Sequence, residues 1–305
     1  MRDYILRRLL LGLVTLWVVS LAVFLLVRMS GDPVHMMTDG ATAPEQIEFL
    51  RRELGVDKPL IVQYGTFLSN ALRGNFGVSF THKTPTLELY LERLPASLEL
   101  ALLAAALGIG FGVIIGVLSA LRIGGVTDTF GRMFAFLGLS IPSFWLGLLM
   151  ILVFSVELRL LPTSGRGGLR HIIMPAVCLA WYISAAYVRL TRSSLLEVLG
   201  GDYVKFARIK GVPEFIVVAK HALRNALIPV ISFAGVQLML MINGGVVVEI
   251  VFGWPGTGLL MYNALVLRDY PLVQTVILIT ATLMVGANLA VDILYAYIDP
   301  RIRLR

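Results

Sequence analysis

A chain of 305 residues is long enough for one or two soluble domains, but 57% hydrophobic residues against 15% charged exclude a soluble globule and put it in the membrane class. The formal net charge of +7 raises nucleic acid as a partner, and the basic residues exclude it because they flank apolar spans instead of clustering on a soluble face. The single cysteine, Cys178, lies in an apolar run, so no internal disulfide framework exists and a buried packing role is expected.

A helix needs about 20 apolar residues to cross the bilayer core, because every backbone polar group there must be satisfied within the segment. Six stretches meet this length or approach it, so the expected fold is an all-α integral membrane protein with six transmembrane helices. The first, residues 9–27, follows Arg2, Arg7 and Arg8 and is longer than the core of a secretory signal. Arg28, Met29, Ser30 and Gly31 come next without a small-residue cleavage pattern, which predicts an uncleaved anchor.

Residues 29–98 read as a small helical subdomain outside the membrane. Thr42 and Pro44 can open a helix with Ile47, Leu50 and Leu54 on one face, and Gly55 can close it. After a break at Asp57, Lys58 and Pro59, a second helix puts Tyr64, Phe67, Leu68, Ala71 and Leu72 on one side and stops at Gly74. Such a subdomain can cap the helix ends, bind a partner, or do both.

The second span, residues 100–121, carries Gly108, Gly110, Gly112 and Gly116, which permit close helix approach. The third, 133–156, contains Pro142, whose bend either lines a path or serves packing. The fourth, 172–188, is short and holds Pro175, and the fifth, 225–248, begins at Leu227, Ile228 and Pro229. Between it and the sixth, 271–291, the run from Phe252 through Trp254, Pro255 and Gly256 to Leu267 is too short to cross and suits a re-entrant or interfacial hairpin. Gln237, Asn243 and Glu249 are polar within or beside these spans. They face a bundle interior or a cavity, and either bond between helices or, with Pro142, line a path through the bundle.

The positive-inside rule sets the orientation. With the N-terminus inside, the inner segments hold fifteen Lys and Arg residues and the short outer loops only four, Arg159, Arg166, Arg170 and Arg268. Both termini are therefore expected in the cytoplasm. The chain divides into residues 1–28, a tail and first span; 29–98, the outer subdomain; and 99–305, a five-helix core with an inner loop at about 190–226.

That inner loop is more than a basic anchor on lipid headgroups. Asp202 can cap a helix running to Lys210, with cations in its last turn and Gly211 able to take the left-handed stop. Pro213 and Glu214 suit the first turn of a second helix, at an angle to the first. Tyr203 and Phe206 add an aromatic pair, as a docking surface would. The run from Asp202 and Tyr203 through Lys205, Ala207, Arg208, Lys210, Gly211 and Val212 to His221, Arg224 and Pro229 resembles the ATPase-contacting loop of ABC importer permeases of the dipeptide/oligopeptide family, which also serves nickel and glutathione. Of the general importer pattern, Ala207, Gly211 and Leu223 match, whereas Lys205, Phe206, His221 and Arg224 follow the peptide-permease variant.

The similarity extends along the chain through Gly31, Asp32 and Pro33, through Arg93, Leu94 and Pro95, the Pro142 motif, the Trp254, Pro255, Gly256 turn, and Arg268 to Pro271. In order, these motifs resemble the first of the two unlike permeases of such systems. The resemblance implies a type I importer permease forming half of a pathway for di- or oligopeptides, in the inner membrane of a prokaryote. It implies a second homologous permease, two ATP-binding subunits and a solute-binding protein as partners, with membrane lipid around them. Similar permeases carry glutathione, nickel chelates, opines or oligosaccharides.

The chain is not expected to be an enzyme, to hold a metal or to bind a cofactor; ATP and Mg would sit on the partner subunits. None of its five lysines follows a glycine, so it has no phosphate-binding loop. His35, His82, His171 and His221 are scattered and form no metal-binding motif. An ion-coupled secondary transporter, the rival class, calls for an internal repeat that the sequence does not display and leaves the inner loop unexplained.

Overall fold

The computed structural model describes the backbone of residues 2–30, 44–53 and 55–298; the side chains of 2–4, 30, 44, 46–47, 50, 53, 232, 234–244 and 294–298 lie outside the description. Apart from one isolated β-bridge between Val78 and Pro85, the described residues form helices joined by turns and loops. In order these are α1 (Arg2–Ser30), α2 (Pro44–Glu53), α3 (Leu60–Leu72), α4 (Thr86–Leu121), α5 (Val126–Ser140) and α6 (Ser143–Met150). Then come α7 (Leu169–Leu199), α8 (Asp202–Ile209), α9 (Glu214–Ile216), α10 (Leu223–Val251), α11 (Thr257–Val266) and α12 (Tyr270–Ile298). π-helical turns continue α6 through Ile151–Glu157 and join α9 to α10 through Val217–Ala222.

Among the described residues, α1, α4, α7 and α12 are each long and apolar enough to cross a bilayer, and the expected spans at 9–27, 100–121, 172–188 and 271–291 lie within them. The third span departs from the single helix expected over 133–156: α5 and α6 meet at 104°. Proline disfavours the helical region for the residue before it, and Ile141 is extended here (φ −84°, ψ 121°). The first helix stops at Ser140, and Pro142 opens the next. α11 has ten residues, about 15 Å, too short to cross, as expected for the hairpin before the last span.

The chain forms two compact units, residues 1–95 with 259–305, and residues 96–258. In the first, α1 and α12 run antiparallel, with Arg8 paired to Asp292 (3.1 Å) and Gly12 pressed close to Val285. α3 packs on α1 through a Tyr64–Ser20 hydrogen bond (2.8 Å) and ring contacts of Phe24 with Tyr64 and Phe67. Leu72, expected on the packed face of α3, is 81% exposed, and Gln63 is buried instead, its amide donating to the carbonyls of Val56 and Lys58. Asp269 anchors the loop before α4, accepting from Ser79 Oγ (2.5 Å) and the Thr81 amide (3.1 Å). α2 forms from Pro44 as expected, but Thr42 and Leu54 lie outside the described residues, as do the side chains of Ile47 and Leu50.

In the second unit α7 is the central helix, its buried face reaching from Ile172 to Leu195. The α4 glycines explain how closely it can be approached. A Cβ on Gly108, Gly112 or Gly116 would fall 2.7, 2.5 and 2.7 Å from atoms of Ile183, Tyr187 and Thr191, so the two helices meet at backbone distance along a four-residue repeat. Cys178 is buried in the same core, as its apolar setting predicted.

Candidate functional site

The segment between α7 and α10 stands on an apolar platform. Val204 and Ala207, three residues apart on α8, are buried among Ala120, Leu195, Val217, Ala222 and Ala226. The opposite face presents Tyr203 (46% exposed), Phe206 (64%) and Ile209 (79%), and Phe215 (81%) follows beyond the turn. With the buried platform beneath them, these side chains form an exposed apolar patch. Lys205, Lys210, Lys220 and Arg224 are exposed around it, whereas His221 is half-buried.

The ends of α8 differ in detail from the sequence reading. Gly201 takes the cap position, and Asp202 is the first helical residue, paired with Lys205 (3.0 Å) without capping the helix. Lys210 ends the helix and Gly211 follows at φ +76°. The Gly211 amide donates to Arg208 O (2.9 Å) and the Val212 amide to Ala207 O (3.2 Å), a complete Schellman stop that tucks Val212 against the platform. Pro213 caps the next helix and Glu214 begins it. That helix is not a separate short element, since its one turn runs through the π-helical stretch Val217–Ala222 directly into α10.

Across the Gly211 turn, Arg208 grips Glu214 with two parallel bonds, Nε to Oε2 (3.0 Å) and Nη2 to Oε1 (2.6 Å). The hydrogen bond from Arg208 holds the Glu214 carboxyl below its usual range and raises Arg208 in return. Asn225 Nδ2 donates to the Tyr203 hydroxyl (3.1 Å), a second tie between α8 and the start of α10.

The other predicted residues do not gather here. Pro142 is exposed at the break between α5 and α6, and the side chains of Gln237 and Asn243 lie outside the described residues. Glu249 is 4% exposed; its carboxylate accepts from Ser97 Oγ (2.6 Å) and the Gly258 amide (2.8 Å). The Thr257 amide completes the knot on Ser97 Oγ (2.8 Å). A Cβ on Gly256 would stand 2.3 Å from a Glu249 oxygen, which is why the turn after Trp254 and Pro255 requires glycine. This is the interhelical bonding that sequence left open as one of two readings for Glu249.

One pair escaped sequence reasoning. Asp128, 1% exposed in the first turn of α5, accepts from Arg192 of α7 at 2.6 and 3.0 Å and from the Gly124 amide at 3.0 Å. It ties α5 to the part of α7 that leads into the segment. Neither residue stood out in the sequence, because no linear spacing relates Arg192 to Asp128 across 64 positions.

An α-helical bundle built this way is the fold of ABC importer permeases. It resembles a chain from the crystal structure of an amino acid ABC transporter with histidines (TM-score 0.53, 15% identity, covering 67% of this chain and 92% of that one). It also resembles one from the MetNI methionine ABC transporter in inward-facing conformations (TM-score 0.56, 19% identity, covering 69% and 96%). The chain belongs to the family of binding-protein-dependent transport system inner membrane components, which matches residues 112–304, with the N-terminal part of such components matching residues 1–101. It is 40% identical over 306 residues to the glutathione transport system permease protein GsiC of Escherichia coli (strain K12), covering all of both chains, and as similar to that of Shigella dysenteriae serotype 1 (strain Sd197). The chain is a multi-pass inner-membrane permease subunit of an ABC importer of the peptide, nickel and glutathione group.

Proposed function

We propose that this subunit forms half of a translocation pathway for short peptides, glutathione among them, with a second homologous permease forming the other half. An extracytoplasmic solute-binding protein delivers the solute, and two ATP-binding subunits, which hold ATP and Mg, drive alternating access. Both termini lie in the cytoplasm, where residues 202–220 form the contact with an ATPase subunit; Pro142, Gln237 and Asn243 border the path. The glutathione cargo of relatives with 40% identity supports a tripeptide-sized solute, and no side chain of this chain is assigned to selecting it.

The observation that carries the reading is the patch of Tyr203, Phe206, Ile209 and Phe215, exposed on a platform continuous with α10. A push on α8 reaches the spans through a helix that starts at Glu214 without a break, as rigid-body coupling requires. Gly211→Val tests this. The expected outcome is an assembled complex that hydrolyses ATP with uptake reduced at least tenfold. Wild-type uptake per ATP in that variant contradicts the proposal.

A further inference from the structure

A cavity of about 350 Å³ in the first unit lies among α1, α3, the loop before α4 and the start of α12. Phe24, Val27, Phe67, Phe76 and Phe80 make its lining largely apolar, and Arg28 and Gln274 bring polar groups to it. The Arg28 guanidinium lies over the Phe24 ring at 5.6 Å.

We propose that this cavity binds one anionic phospholipid, an acyl chain among the phenylalanines and the headgroup phosphate at Arg28. Its depth in the membrane supports this. The rise along α1 from Arg8, at the paired end of the α1–α12 hairpin, to Arg28 is about 30 Å, the thickness of the hydrocarbon core, so Arg28 stands at the headgroup level of the opposite leaflet. Its volume supports it as well. At roughly ten times the ~30 Å³ share of one water, the cavity takes several carbons, and its apolar walls give water few partners.

The chemistry excludes a peptide occupant, whose backbone amides would be desolvated against five apolar side chains with few polar groups to meet them. An acyl chain has no such requirement. Guanidinium matches phosphate in planar, two-bond geometry, and a lipid of net negative charge adds long-range attraction.

The test uses the whole importer in nanodiscs of phosphatidylethanolamine with or without phosphatidylglycerol, with native mass spectrometry counting retained lipid. Wild type should retain one phosphatidylglycerol per copy of this chain. Arg28→Gln should bind it about fivefold more weakly, Arg28→Lys should keep most of it, and Val27→Phe, which fills the cavity without changing charge, should lose it. Excess inorganic phosphate should displace nothing. Equal retention by wild type and Arg28→Gln, unchanged retention in Val27→Phe, or displacement by phosphate alone would each overturn the proposal.

Discussion

Gly211 has no neighbouring heavy atom within 4 Å of where a Cβ would stand, so the position demands a backbone conformation and not space. A β-branched side chain there costs about 1–2 kcal/mol in the left-handed region, enough to open the turn while Val204 and Ala207 stay buried. The Arg208–Glu214 pair guards the same angle. Because Arg208 lowers the Glu214 carboxyl, the pair contributes above the ordinary carboxylate value and is lost as pH falls through the lowered one. Hydrogen exchange of residues 202–214, corrected for intrinsic rates, should therefore stay constant from neutral pH until below the ordinary carboxylate range and then rise. Glu214→Gln should exchange faster throughout with no acid step; an acid step in that variant would place the titrating group elsewhere. Gly211 was legible in the sequence because a helix stop is a local signal. The Ser97–Glu249 bond joins residues 152 apart, and no local pattern announces it.

At the scale of elements, the contact between α4 and α7 depends on register. Gly108, Gly112 and Gly116 recur every fourth residue against Ile183, Tyr187 and Thr191, while Gly110 falls between and meets nothing within 4 Å. The four glycines looked alike in the sequence, and only the helix phase separates them. Gly112→Leu should destabilise the folded chain by about 1–3 kcal/mol through overpacking against Tyr187 and the Ser184 backbone. Thermal unfolding in detergent would register this as a lowered midpoint, with Gly110→Leu unchanged; equal midpoints for the two variants would contradict the packing account. The spans within α1, α4, α7 and α12 were readable because hydropathy is a summed property of about twenty residues. The 104° break at Pro142 was not, because a proline in a membrane helix either kinks it or ends it according to the packing around it. Nor did the residues after Pro213 reveal that their helix would fuse with α10, since Gly211 and Pro213 punctuate only the side facing α8.

At the scale of the molecule, the membrane class and the importer-permease family were legible from composition and the order of motifs along the chain, and full-length identity of 40% to glutathione permeases agrees with them. Cargo was not, because no chemical group in the sequence is committed to a solute. The proposed docking puts α8 and the turn after it against an ATPase. Cys178, the single cysteine, is buried, so a second one can be introduced against little background. Phe206→Cys in the assembled importer, labelled with a thiol-directed photoactivatable crosslinker that inserts into any nearby residue, should crosslink to an ATP-binding subunit with a yield that changes when ATP is added. Leu72→Cys, exposed on α3, should give no such product. A crosslink to the ATPase from Leu72→Cys and none from Phe206→Cys would contradict the account.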